Sequence, residues 1–207
     1  MDRCWLNNQD VIRIGGETML RFSLLSANEI EFMEKMYEAA VLDPLTRIYN
    51  RRYFFGLLHQ YIEKNMRAKQ RLALIIIDID HFKILNDTYG HQVGDFALRH
   101  VSSLICLTVR AGDKVCRFGG EEFTILLNEV DLPEATSIAE RIRATVEDNP
   151  LLYEGAVIPM TVSIGVATLD HAFGSPDRLF ALADARMYEA KNAGRNQVCN
   201  GPVALPR

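Results

Sequence analysis

An unbroken apolar run over residues 72–77, Leu-Ala-Leu-Ile-Ile-Ile, constrains this chain more than any other feature, and Asp78-Ile79-Asp80 ends it. A short continuous run rich in Ile predicts a buried strand over Leu72–Ile79. It is far short of the roughly 20 apolar residues that a membrane span needs, so no membrane partner is expected. The strand must sit inside a sizeable core. With 207 residues, 48% hydrophobic and 24% charged, the chain has the balance of a globular protein, which excludes disordered, collagen-like and mucin-like classes. A chain of this length buries about 70% of its unfolded surface and needs no disulfide or metal staple. At about 150 residues per domain it reads as one domain plus an appendage.

The remaining pattern supplies the order of elements. Tyr53, Phe54, Leu57, Leu58, Tyr61 and Ile62 share one face of a helix ahead of the buried strand. A helix over 93–109 follows, then strands over 114–118 and 122–127 joined through Gly119-Gly120. Asp131 caps a helix over 133–147 with Ala135, Ile138, Ala139 and Ile142 inward. Residues 161–167 alternate as a strand, Ser175-Pro176 opens a helix to about Lys191 that Gly194 stops, and a short strand closes over 197–199. The order β-α-β-β-α-β predicts an α+β, ferredoxin-like fold: an antiparallel sheet with helices on one face.

Upstream, residues 1–25 carry two alternating runs around Gly15-Gly16, which predict a hairpin. Ser26 and Glu29 form a capping box for a helix over 26–42, with Ile30, Met33, Tyr37 and Ala40 at 3-4-3 spacing. That helix is either a connector packed on its own domain or a dimerising stalk. Asp43-Pro44 ends it, and the main domain is expected over 43–200 with a tail over 201–207. The segment from Leu6 to Phe22 resembles the last strands of a forkhead-associated domain, without the loops that read phosphothreonine in that family. No secretory signal follows Met1-Asp2-Arg3-Cys4. Cys4, Cys106, Cys116 and Cys199 form no CxxC pair and no zinc spacing, so they read as reduced thiols in a cytoplasmic protein. A net charge of -4 gives no support to duplex DNA binding, and a polyanionic ligand must be met locally.

Acids interrupt the apolar pattern where chemistry is expected. Asp78 ends the buried strand, and Glu121-Glu122 follow two glycines at a hairpin tip. In a split βαβ fold these carboxylates can converge, and crowded carboxylates repel unless they share protons or a hard cation such as Mg²⁺ or Mn²⁺. The bland alternative is solvated strand-end charge. Gly119-Gly120 serve a turn that needs positive φ, and also leave room for a triphosphate to approach backbone.

Phe118-Gly119-Gly120-Glu121-Glu122-Phe123 resembles the signature of GGDEF domains, the diguanylate cyclases. Asp43-Pro44-Leu45-Thr46 with Asn50-Arg51-Arg52-Tyr53-Phe54 resembles the family's opening, and Asp78-Ile79-Asp80-His81-Phe82-Lys83 with Asn86-Asp87 and Gly90-His91 its nucleotide loop. Thr161 to Gly165, then Ala183-Asp184 through Tyr188-Glu189-Ala190-Lys191 to Gly194-Arg195-Asn196, resembles its close. The resemblance implies condensation of two GTP into cyclic di-GMP by two domains that face each other as a homodimer. It implies Mg²⁺ or Mn²⁺ held by Asp78, the Ile79 carbonyl and Glu121, with Glu122 close by and Glu121 a candidate proton acceptor. Lys83, in the loop after the metal strand, would neutralise the triphosphate that Phe82 and neighbouring amides cradle. Lys191 and Arg195 would hold the outer phosphates, or simply interact with a helix C-terminus. Asn86 and Asp95 would select guanine, with His91 near the nucleotide. Arg110 and Asp113, with five residues between Asp113 and the double glycine, resemble the inhibitory product site.

Arg47 stands where the family usually has glycine, which leaves the entry geometry open. A GTP or cyclic di-GMP receptor without catalysis is the alternative, but Asp78, Lys83, Glu121 and Glu122 are all retained. An RNA-binding ferredoxin-like domain would want exposed aromatics on central strands and a basic face, and neither is apparent.

Overall fold

The computed structural model describes residues 5–170 and 174–202. It divides into two compact units, Met1–Ala40 and Val41–Arg207. The first unit holds the expected hairpin, β1 (Val11–Ile14) and β2 (Thr18–Arg21), and most of helix α1 (Ala27–Val41). The capping box forms: Ser26 Oγ and the Ser26 N–H both donate to Glu29 Oε2 at 2.8 Å, and Glu29 N–H donates back to Ser26 Oγ. Helix α1 ends three residues before Pro44.

The second unit contains β3 (Tyr49–Asn50), α2 (Arg51–Ala68), β4 (Leu72–Ile79), α3 (Phe82–Tyr89), α4 (His91–Thr108), β5 (Lys114–Gly119) and β6 (Glu122–Asn128). It continues through α5 (Leu132–Asp148), β7 (Leu151–Tyr153), β8 (Ala156–Ile158), β9 (Val162–Thr168), α6 (Pro176–Asn192) and β10 (Val198–Cys199). The main sheet has the order β10-β9-β4-β6-β5-β3. Its four inner strands are antiparallel, as expected, whereas β3 and β10 join the edges in parallel.

Every residue of β4 is buried, because helices cover both faces of the sheet rather than the one face expected. Ala73, Ile75, Ile77 and Ile79 pack with Val101 and Ile105 of α4 and Ile138 and Ile142 of α5. Leu72, Leu74 and Ile76 point the other way, against Phe54 and Leu58 of α2 and Leu179 and Met187 of α6. A continuous apolar run is what a two-sided core demands. Each Leu, Ile, Val, Phe or Met side chain among them contributes about 1.5–3 kcal/mol on burial.

Other elements differ from the sequence reading. Residues 82–89 are helix α3, not a loop, which puts Lys83 in a first helical turn. Phe82 and Leu85 are its buried residues, and Gly90 breaks it while its N–H caps the Asn86 carbonyl. The β7–β8 hairpin turns at Glu154-Gly155, both at positive φ; Glu-Gly is a weaker turn signal than Asn-Gly or Asp-Gly. Asp131 and Ser175 cap α5 and α6 as expected.

Gly165 on β9 is required by packing. A Cβ there would lie 2.0 Å from the Ala183 carbonyl oxygen and 2.3 Å from the Met187 nitrogen, so its absence lets α6 approach the sheet. Gly165→Ala is expected to destabilise the domain by about 2–3 kcal/mol through overpacking against backbone; urea denaturation checks this, and an unchanged midpoint would contradict it.

Candidate functional site at the end of the central strands

Strand β4 delivers Asp78 to the sheet end with only 4% of its surface exposed. Antiparallel register sets Asp78 opposite Glu122, and Ile79 N–H donates to the Glu121 carbonyl at 3.3 Å. The β5–β6 register shifts between Arg117 and Gly119, a bulge that re-aims the turn. At that turn Gly120 has φ +51, and a Cβ on Gly119 or Gly120 would meet nothing within 4 Å. The glycines therefore satisfy both expectations: a left-handed turn at Gly120 and open space beside Glu121. Arg117 fixes the turn by donating from Nε and Nη2 to the Gly120 carbonyl at 3.0 and 2.8 Å. Its Nη1 lies 3.3 Å from both carboxylate oxygens of Asp43. Burial works against the Asp43 charge, yet the Thr46 N–H and hydroxyl and the Arg117 guanidinium outweigh it and hold that carboxyl below its usual range.

A cavity of about 250 Å³ opens here, lined by Asp78, Ile79, Phe82, Lys83, Glu121, Lys191 and Arg195 among others. Seven of the expected site residues thus meet in one place. Glu122 stands beside them on the strand but does not line this cavity; burial raises its pKa, opposed by Lys191 and reinforced by Asp184 and Glu121. Asn86 sits on α3 against Gly94, where a Cβ would lie 1.9 Å from Asn86 Oδ1. That oxygen is buried without a hydrogen-bond partner, a cost that a donor on a ligand would remove. Asp95 is exposed on α4, and His91 is exposed at its first residue.

Lys191 Nζ lies 2.7 Å from Asp78 Oδ2. Burial pushes the Asp78 carboxyl up to about 6; the Lys191 ammonium pulls against that shift, while Glu121 and Glu122 add to it. A carboxyl whose pKa is raised on folding supports the fold when protonated, and this support is lost as pH rises from the unfolded value through about 6. A ¹³C-detected titration of Asp78 should show its midpoint near 6, and Lys191→Met should move it higher; a midpoint unmoved by that substitution would contradict the ion pair.

Among the described residues, no three His, Cys, Asp or Glu side chains form a ready metal cage. The cavity instead offers the Asp78 and Glu121 carboxylates and the Ile79 main chain. One or two carboxylates suit Mg²⁺, which keeps several waters and takes its other ligands from substrate phosphate, so this hard-oxygen set fits such an ion.

The Asp78-x-Asp80 pair divides its labour in a way the sequence did not reveal. Asp80 accepts from Ser163 Oγ at 2.6 Å, Thr161 Oγ1 at 2.8 Å and Asn196 N–H at 3.0 Å. Hydroxyls at alternate positions of the closing strand were the available signal for these partners.

Arg110 and Asp113 come together elsewhere: Arg110 N–H donates to Asp113 Oδ2 at 3.0 Å, and the guanidinium donates to Glu134 Oε1 at 2.8 Å. They line a cavity of about 350 Å³ with Arg47, Tyr49 and Lys114. Arg47 has φ +61, so the chain keeps the glycine-like turn despite a bulky residue. Cys106, Cys116 and Cys199 are free thiols, and Cys4 lies outside the described residues. No described helix is long and apolar enough to cross a membrane.

Fold and cavity together define the palm-like class of α+β domains, with charged groups gathered at the end of central antiparallel strands. A family model described as diguanylate cyclase, GGDEF domain, matches residues 40–197, and the chain belongs to this family. It is 39% identical over 176 residues to diguanylate cyclase A of Treponema denticola, covering 84% of this chain and 47% of that protein. Against the probable diguanylate cyclase DgcT of Escherichia coli it is 43% identical over 161 residues, covering 75% and 34% respectively. The chain therefore spans about half or less of these relatives. Among solved structures, the coiled coil and GGDEF domain of DgcB from Caulobacter crescentus in complex with c-di-GMP superposes with a TM-score of 0.78 at 30% identity, covering 83% of this chain and 91% of that one.

Proposed function

We propose that this chain is a diguanylate cyclase that condenses two GTP into cyclic di-GMP with release of two pyrophosphates. The observation that carries the proposal is the gathering of three carboxylates, Asp78, Asp80 and Glu121, with three cations, Lys83, Lys191 and Arg195, around one cavity at the sheet end. Polyanion binding needs the cations, and phosphoryl transfer needs charge stabilisation in a site closed to bulk water. Mg²⁺ or Mn²⁺, held by Asp78, the Ile79 carbonyl and Glu121, would acidify the attacking 3′-hydroxyl and neutralise charge on the α-phosphoryl group. Lys83 and the main chain around Phe82 bind the triphosphate from the first turn of α3. Lys191 and Arg195 take the outer phosphates, and the Asp78–Lys191 pair opens when they do. Glu121 is the candidate acceptor of the hydroxyl proton, with Glu122 adding negative charge beside it. Asn86 and Asp95 accept from the guanine N1–H and 2-amino groups, donors that adenine does not present in that pattern, and His91 shapes the same loop. Two such domains face each other, each presenting one GTP.

Retention of every acid and the cavity lysines supports catalysis over a purely receptive role. The purified chain incubated with GTP and Mg²⁺ should yield cyclic di-GMP, and Asp78→Asn or Glu121→Gln should each lower turnover by at least about a hundredfold. No product from a forcibly dimerised form would sink the enzymatic reading.

Arg110 and Asp113 form an inhibitory product site in the second cavity, where guanidinium can stack on guanine or pair with phosphate. Arg110→Ala should relieve inhibition by added cyclic di-GMP; inhibition curves that overlay those of the parent chain would remove the idea.

A further inference from the structure

The cavity's cations are not equally anchored. Lys191 projects from a regular helix, whereas Arg195 sits in a turn of unusual backbone. Gly194, Arg195 and Asn196 have φ of +119, +65 and +44 in succession. Only glycine adopts that region freely, so surrounding contacts must hold the two residues that follow it.

Those contacts come from two sides. Inside, Asp80 is 8% exposed and accepts the Asn196 N–H at 3.0 Å. Its other bonds, from the Thr161 and Ser163 hydroxyls at 2.8 and 2.6 Å, tie the same carboxylate to the edge of β9. Outside, the Asn196 side chain donates to Glu147 Oε1 at 2.7 Å and accepts from Arg143 Nη1 at 3.0 Å. Arg195 N–H closes the turn on the Ala190 carbonyl at 3.0 Å. Three donors occupy most of the acceptor capacity of a carboxylate, which leaves Asp80 poorly suited to ligate a cation although it borders the cavity.

We infer that Asp80 is a positioning residue that holds Arg195 at the triphosphate cavity through the main chain of Asn196. The inference rests on the reading above that Arg195 meets the outer phosphates. Asp80 acts on ground-state binding of the triphosphate tail and on transition-state binding alike, because it moves a phosphate contact and no reacting atom. Glu147 is the outer half of the clamp, so the end of α5 bears on the same turn.

The test is a double-mutant cycle read by calorimetric binding of the α,β-methylene analogue of GTP with Mg²⁺, beside thermal unfolding of each variant. Arg195→Ala should weaken binding by about tenfold, and Asp80→Ala by a similar factor, as loss of one charge-assisted phosphate contact would. The double variant should bind no more weakly than Arg195→Ala alone, because residues acting through one contact are not additive. Asp80→Asn should restore most of the affinity: its oxygen can still accept from Asn196, while the Ser163 hydroxyl turns to accept from the amide. If Asp80→Ala does not fold, Glu147→Ala supplies the cycle, with about threefold weakening that vanishes in the Arg195→Ala background. Additive losses would overturn the positioning role while leaving the phosphate role of Arg195 intact. Unchanged affinity in Arg195→Ala would instead overturn the phosphate role and, with it, this inference.

Discussion

Burying the end of β4 creates the problem around which the second unit is arranged. Helices close over both faces of that strand, so Asp78 is carried out of water by the same apolar residues that drive folding. A carboxylate so placed needs compensation, and α6 supplies it as the Lys191 ammonium at 2.7 Å. Gly165 makes this geometry available, since α6 can lie against β9 only where no Cβ intervenes. Packing and electrostatics are thus one arrangement: the helix that seals the core also brings the compensating charge.

Backbone strain accumulates around the same end of the sheet. His81 lies at φ +57 between β4 and α3, and Arg195 and Asn196 are left-handed after α6. Each turn changes chain direction at the cavity wall and leaves a charged side chain, Lys83 or Arg195, on its rim. Such conformations persist only where neighbours over-determine them. Asp80 and Arg117 do so by opposite chemistry, the first accepting from three donors and the second donating to the Gly120 carbonyl from two nitrogens. The second cavity follows the same logic at Arg47, where a bulky residue occupies a left-handed turn.

The long elements were legible because their periodicity reports burial directly. Residues 72–77 could only be an interior strand, and Asp131 and Ser175 announced their helices through capping chemistry. Helix α3 was not legible: it has barely two turns, and its motif residues drew the reading toward a nucleotide loop. The two-residue strands β3 and β10 have no period of their own and exist through pairing with β5 and β9. Covering the sheet on both faces was implicit in the continuous run of β4, yet the order of elements alone pointed to one face.

By itself the sequence singled out candidate groups by residue type: the acids at 78, 121 and 122, the cations at 83, 191 and 195, and the pair at 110 and 113. Residue type fixes charge and hydrogen-bonding capacity wherever the chain goes. Tertiary structure alone decided the partnerships: that Lys191 meets Asp78, that Arg110 reaches Glu134, and that Asp80 is absorbed by Thr161, Ser163 and Asn196. Those contacts join residues up to 116 positions apart. Strand register and the close approach of α6 set them, and neither is written in any local stretch of chain.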